Sequence, residues 1–154
     1  MKVFPTFLPG VSGCYNGAVP TLTRWHLRTA LVCLVLGLVA LLLAAVPPLA
    51  GAWFALALVP VAVHLLVMGW ATQMIFGVAV WMFPREGKDR SFGSPVLGWG
   101  AFGALNLGLL LRIVGEPLQA AGHPAAALFT ASAALQLAAV LALVANVWRR
   151  VRAT

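Results

Sequence analysis

Between Arg28 and Arg85 the chain contains no Asp, Glu, Lys or Arg, an unbroken run of 56 residues. One crossing of a bilayer's hydrocarbon takes about 20 apolar residues, so this run holds two crossings and a turn. Pro47, Pro48 and Gly51 mark the turn, because paired prolines remove backbone donors and clash with the preceding helical turn. Two further uncharged runs follow at 91–111 and 124–148. The second opens on Pro124, a residue suited to a first helical turn. The sequence thus predicts helices at about 27–46, 52–83, 91–112 and 124–148. Each is apolar on all sides, as lipid-embedded helices are. The expected fold is all-α: a polytopic membrane protein built as a four-transmembrane-helix bundle.

Composition excludes the alternatives. Of 154 residues, 62% are apolar and 8% charged, whereas soluble domains carry about 25% charged residues. Too few charges remain to solvate a globular surface, and disorder requires the opposite balance. A net charge of +7 would suggest nucleic acid in a soluble chain, but its distribution reads as membrane topology. Lys2, Arg24, Arg28, Arg85, Lys88, Arg90, Arg149, Arg150 and Arg152 fall on one side of the predicted spans, and Arg112 alone on the other. Positively charged loops are retained in the cytoplasm. The expectation is a bacterial-type inner (plasma) membrane protein in contact with lipid, not nucleic acid, with both termini cytoplasmic.

Residues 1–26, with Pro5, Pro9 and Pro20 and several glycines, lack the continuous apolar core of a signal peptide. They read as a retained cytoplasmic arm lying on the membrane through Phe4, Phe7 and Trp25, and 149–154 as a basic tail. Cys14 and Cys33 make no disulfide framework. Trp53, Trp81 and Trp148 fall where interfacial aromatic belts sit. Small residues four apart mark helix contacts in lipid, which nominates Gly100, Ala104 and Gly108 on the third helix and Ala134 and Ala138 on the fourth. Gln73, Asn106 and Gln136 are polar groups at membrane depth, read as interhelical hydrogen-bonding groups.

His64 is the only ionisable side chain between Arg28 and Arg85 and lies 11 residues beyond Trp53. At about 1.5 Å per residue that is roughly 16 Å below the outer interface, close to the midplane. Ionisable groups at that depth are costly and mark functional sites by default. A neutral imidazole donates one nitrogen proton and offers the other nitrogen's lone pair, and iron, copper and zinc all accept it. Against this stands a plain structural role, with both nitrogens satisfied by a neighbouring carbonyl or hydroxyl. Pro60, one turn earlier, leaves a carbonyl unpaired and can kink the helix beside His64.

Arg112 and Glu116 are spaced to form a surface ion pair; alternatively the guanidinium is a bidentate partner for carboxylates such as haem propionates. With the third helix ending near 112, Arg112 is expected outward of His64. His26, between Arg24 and Arg28, and His123, before Pro124, read as interfacial or solvated. Met68, one turn after His64, is either a packing residue or a thioether partner to His64 around copper. No obvious second axial ligand exists within one chain, so six-coordinate iron would need a second copy's His64 or a partner subunit.

The second helix reads His64-Leu-Leu-Val-Met-Gly69-Trp70, then Ile75-Phe76-Gly77, and leaves through Phe83-Pro84-Arg85. With Leu105-Asn106-Leu107-Gly108 and Leu111-Arg112 on the third, it resembles the haem-copper oxidase subunit I superfamily, and looks closest to its small four-helix relatives and the related nitrosative-stress membrane proteins. The resemblance covers chiefly 63–112, about a third of the chain. It implies haem b as cofactor, with His64 as axial ligand, and assembly as a homo-oligomer (dimer or trimer) or within a respiratory complex; Arg112, Met68 and Asn106 complete the candidate cofactor-binding set. The chain departs from that superfamily in lacking the paired histidines and the cross-linked tyrosine of the oxygen-reducing centre; its only tyrosine is Tyr15. The expected function is therefore electron transfer, haem handling or gas sensing rather than catalysis by this chain alone. The rivals are a cofactor-free accessory or assembly subunit and a small proton-coupled transporter or quinone-binding protein with His64 as proton relay, against which stands the lack of a second intramembrane acid or base.

Overall fold

A computed structural model describes residues 19–46, 52–83 and 93–152, with side chains at 19–46, 55–83 and 93–148. Expectations for Phe4, Phe7, Cys14, Tyr15, the side chain of Trp53, the 85–90 segment and the basic tail's side chains lie outside the described residues. Four helices follow one another, each long and apolar enough to cross a membrane. Helix α1 is Thr21–Ala45. Helix α2 (52–82) is continuous but changes winding, with α-helix at Ala52–His64, a π-helical stretch at Leu65–Thr72 and α-helix again at Gln73–Met82. Helices α3 and α4 are Pro95–Ala120 and Ala126–Arg152. The all-α four-helix architecture agrees with the sequence reading.

The helix ends differ from that reading for local reasons. Helix α1 begins six residues before the expected start, because Pro20 sits at its N-cap and its carbonyl accepts the first helical bond from Arg24 N at 3.1 Å. Helix α3 begins at Pro95 rather than 91: Ser94 Oγ accepts from Leu97 N at 3.5 Å, and proline fits the first turn. It then continues to Ala120, eight residues past the expected end. Arg112 and Glu116 do not stop it, since they pair across one turn and neutralise each other. Gly122, with φ +85°, ends it; His123 N donates to Leu118 O and Gly122 N to Gln119 O, the glycine-terminated closure in which a left-handed residue reverses the chain.

Neighbouring helices run antiparallel. Thr23 Oγ1 donates to Gly77 O at 3.1 Å, tying the start of α1 to the end of α2. Gln73 meets Asn106 between α2 and α3, and Ser132 Oγ donates to Gly108 O at 2.7 Å between α3 and α4. One end of the bundle therefore gathers the start of α1 with Arg24 and Arg28, the end of α2, the start of α3 and the end of α4 with Arg149, Arg150 and Arg152. Helix α1 packs along α2 and α4 along α3, while α2 and α3 form the middle seam. Two apolar clusters fill the bundle: Phe76, Val80, Ala101, Leu105, Ala139, Leu143 and Val147 toward the basic end, and Cys33, Val61, Leu65 and Leu109 toward the other.

The small-residue contacts are only partly those expected. Gly108 faces the α4 backbone, where an added Cβ would lie 3.0 Å from Ser132 O, and Ala104 packs against the core. Gly100 meets nothing within 4 Å, and Ala134 and Ala138 are exposed. The α4 contact stripe is instead Ser132, Ala139, Leu143 and Val147. Spacing by four fits several faces of a helix this rich in alanine, so the stripe alone did not fix its rotation.

Candidate functional site

His64 closes the first α-helical part of α2, immediately before the π-helical stretch. Its ring is partly buried, and Nδ1 lies 2.8 Å from Pro60 O. A carbonyl oxygen only accepts, so Nδ1 carries the proton and Nε2 keeps its lone pair. No hydrogen bond reaches Nε2 among the described residues. The carbonyl that loses its N–H partner to the proline ring is that of Leu56; the acceptor is the proline's own carbonyl, one turn before the histidine. This is the arrangement found behind metal-ligating imidazoles, where a backbone carbonyl fixes the tautomer and the ring while the second nitrogen faces the ligand. Short π-helical stretches recur at functional sites.

The other nominated residues have partners elsewhere. Arg112 Nη1 donates to Glu116 Oε1 at 2.8 Å, and the guanidinium lies over the Phe129 ring of α4, 4.6 Å from its centroid. The register set by Gln73 with Asn106 and by Gly69 with Leu109 puts Arg112 within about a turn of His64's depth. This corrects its expected place outward of His64: because α3 runs on to Ala120, Arg112 lies inside the span. No hydrogen bond or ion pair joins Arg112 to His64 among the described residues. Asn106 Nδ2 donates to Phe102 O at 2.8 Å, and Asn106 Oδ1 accepts from Gln73 Nε2 at 3.1 Å, so Asn106 and Gln73 are interhelical hydrogen-bonding groups as expected. Met68 packs against both apolar clusters, and its Sδ accepts from Thr72 Oγ1 at 3.8 Å. Gln136 donates within its own helix to Ser132 Oγ at 3.2 Å and packs its Cγ against Gly108 of α3; no hydrogen bond from it crosses to α3 among the described residues, which corrects its reading as an interhelical hydrogen-bonding group.

His123 is exposed, as expected. His26 is not: it is 1% exposed, which corrects its reading as interfacial or solvated. Its ring stands edge-on to Phe102 at 4.9 Å and to Phe76 at 6.0 Å, with the Gln73 side chain as its hydrogen-bonding neighbour. Nδ1 has no partner. The physical reason is helix rotation: Arg24 and Arg28 flank His26 in sequence, yet two residues along a helix is about 200° around it, so exposed arginines put the histidine inward. The missed signal is the α1 series Thr23, His26, Ala30, Cys33, Gly37, Ala40, all buried and spaced alternately three and four, the period of a helix-packing seam.

Among the described residues, no group of three or more His, Cys, Asp and Glu is placed to hold a metal ion. No family model, curated protein or solved structure matches the chain. Of the two intramembrane histidines, His26 turns its unpartnered nitrogen into packed protein, and His64 keeps one free of the protein's own hydrogen bonds.

Proposed function

We propose that this chain is a haem b-binding protein of a bacterial-type inner membrane, oriented with both termini cytoplasmic, in which Nε2 of His64 is an axial ligand. The observation that carries the reading is the 2.8 Å contact between His64 Nδ1 and Pro60 O. It holds the ring from within its own helix and reserves the other nitrogen as a lone-pair donor. A bound haem supplies one-electron chemistry or a gas-binding iron, and the role that follows is electron transfer, haem handling or gas sensing beside a respiratory oxidase or nitric oxide reductase. That setting draws on the resemblance of 63–112 to the haem-copper oxidase superfamily. Copper at His64 with Met68 is the weaker form of the same proposal, since two ligands make a poor site.

His64 is the one residue of the nominated set whose geometry supports ligation; Arg112, Asn106 and Met68 are committed to Glu116, Gln73 and core packing respectively. The described chain offers a single imidazole at this depth. A six-coordinate iron would therefore draw its second ligand from another copy, in a dimer or trimer, or from a respiratory partner subunit.

The test is the absorption spectrum of the purified protein, with and without haem reconstitution. The expected result is a Soret band that His64→Ala removes while the helical circular dichroism is retained. Absence of the band before and after reconstitution, or full haem occupancy in His64→Ala, would overturn the assignment. The first outcome favours a cofactor-free accessory subunit; His64-dependent proton flux in liposomes would favour a transporter.

A further inference from the structure

At the basic end of the bundle, a cavity of about 460 Å³ opens between the start of α3 and the end of α4. We propose that it is a binding site for one anionic phospholipid, with the headgroup at its mouth and part of an acyl chain along its inner wall. Four observations carry this inference.

Polarity along the cavity has a direction. Depth follows chain position, and the inner lining is Leu141, Val144 and Leu97, whereas Ser94, Asn146 and Trp148 lie nearer the helix ends. An amphiphile inserted from this end matches apolar to apolar and polar to polar. A soluble phosphate compound has no use for the inner wall.

The mouth is a built polar feature. Asn146 is 5% exposed, and its Oδ1 accepts from Ser94 N at 2.7 Å, clamping the entry of α3 onto α4. Its Nδ2 lies on the Gly98 side of the clamp, 3.6 Å from where a Cβ on that glycine would stand, and has no hydrogen-bond partner among the described residues. Gly93 adopts φ +84° directly against the Asn146 side chain, so the clamp is closed by a residue without a Cβ.

Charge selects the headgroup. Helix α4 continues past Trp148 through Arg149, Arg150 and Arg152, and Arg24 and Arg28 stand exposed at the same end. Glu116, the one acidic residue among the described residues, lies in the other half of the bundle, paired with Arg112. Basic pockets between spanning helices favour anionic headgroups over zwitterionic ones.

Volume is sufficient. Sites of about 300–1,000 Å³ accommodate ligands of drug size, which is a headgroup with the upper part of a chain.

Native mass spectrometry of the full chain released from detergent, after titration with phosphatidylglycerol or phosphatidylcholine, tests the proposal. One phosphatidylglycerol should be retained at least about tenfold more strongly than phosphatidylcholine. Val144→Phe fills the cavity while keeping every charge, and should cut phosphatidylglycerol retention at least about fivefold. Replacing Arg149, Arg150 and Arg152 together by Gln keeps the cavity, and should reduce the preference for phosphatidylglycerol without lowering phosphatidylcholine retention. Equal retention of the two lipids, or unchanged retention in Val144→Phe, would overturn the proposal. Photo-crosslinking of the unmodified chain with a diazirine-bearing phosphatidylglycerol guards against a misfolded variant: labels at 94–97 and 141–148 support the site, and labels confined to other helices refute it.

Discussion

Gly69→Ala puts the packing beside His64 to a quantitative test. Gly69 lies in the π-helical stretch of α2, where it meets both neighbouring helices. A Cβ added there would stand 2.8 Å from both Cβ and Sγ of Cys33 on α1, and 2.9 Å from Leu109 Cδ2 on α3. Non-bonded carbon atoms rest about 3.5–4.0 Å apart, so every one of these contacts is short by roughly 0.6 Å or more. Leu109 can rotate away, but Cys33 Cβ is fixed to the α1 backbone, so a helix must move. Overpacking of this kind costs about 1–3 kcal/mol, and two obstructed sides put this site in the upper half of that range. The gain in helix propensity from Gly to Ala offsets about 1 kcal/mol. The net expectation is a loss of about 1–2 kcal/mol, close to tenfold in the folding equilibrium. Gly100→Ala is the control, because nothing lies within 4 Å of its added Cβ; only the propensity gain remains there, and the variant should be neutral to slightly stabilised. Unfolding by SDS titration in mixed micelles measures both. Cys33→Gly removes the two α1 contacts and should recover most of the Gly69→Ala loss. If Gly69→Ala proves as stable as Gly100→Ala, or if Cys33→Gly gives no rescue, the three-helix contact is wrong.

Two other substitutions follow from the polar contacts. Gln73→Leu and Asn106→Leu, combined in a double-mutant cycle read by the same unfolding assay, should give a coupling of about 0.5–1.5 kcal/mol, the range of interhelical hydrogen bonds in membranes; Asn106 keeps its bond to Phe102 O, so a coupling well above that range would contradict the observed geometry. Arg112→Ala should destabilise by about 1–3 kcal/mol, because it leaves Glu116 unpaired inside the span and removes the contact with Phe129, and Glu116→Gln in the same chain should restore part of it; unchanged stability with a shifted haem spectrum would instead place the guanidinium on the cofactor.

The number of helices was legible because charge is costly in hydrocarbon, and the gaps between charges therefore mark the spans. Which way each helix faces was much harder to read. In a soluble helix the polar stripe reveals the outer face, but here lipid accepts Leu on every side, as with exposed Val35, Leu42 and Leu137. The informative signal was residue size rather than hydropathy. On α1 it was present in full, in Thr23, Ala30, Cys33, Gly37 and Ala40, and His26 sits in that series. On α4, alanine on all faces hides it. The end of α3 lies eight residues beyond the expected one because a charge marks a boundary only when it is unpaired, and an arginine with a glutamate four residues on is satisfied within the helix.

The two intramembrane histidines separate on how their rings are held. The orientation of His64 is set within α2, by a carbonyl one turn back, and does not depend on the neighbouring helices. A ligand at Nε2 would meet a preset ring, and the protein would lose no hydrogen bond in binding it. His26 is held by rings on two other helices and by Gln73, and its unpartnered Nδ1 faces their packing. A buried unsatisfied polar nitrogen costs about 1–3 kcal/mol, yet the rings of Phe76 and Phe102 stand against the imidazole that carries it. Burial alone would have nominated His26, the less exposed of the two. Accessibility of the lone pair reverses that choice, and for this reason the proposed ligand role is assigned to His64 rather than His26.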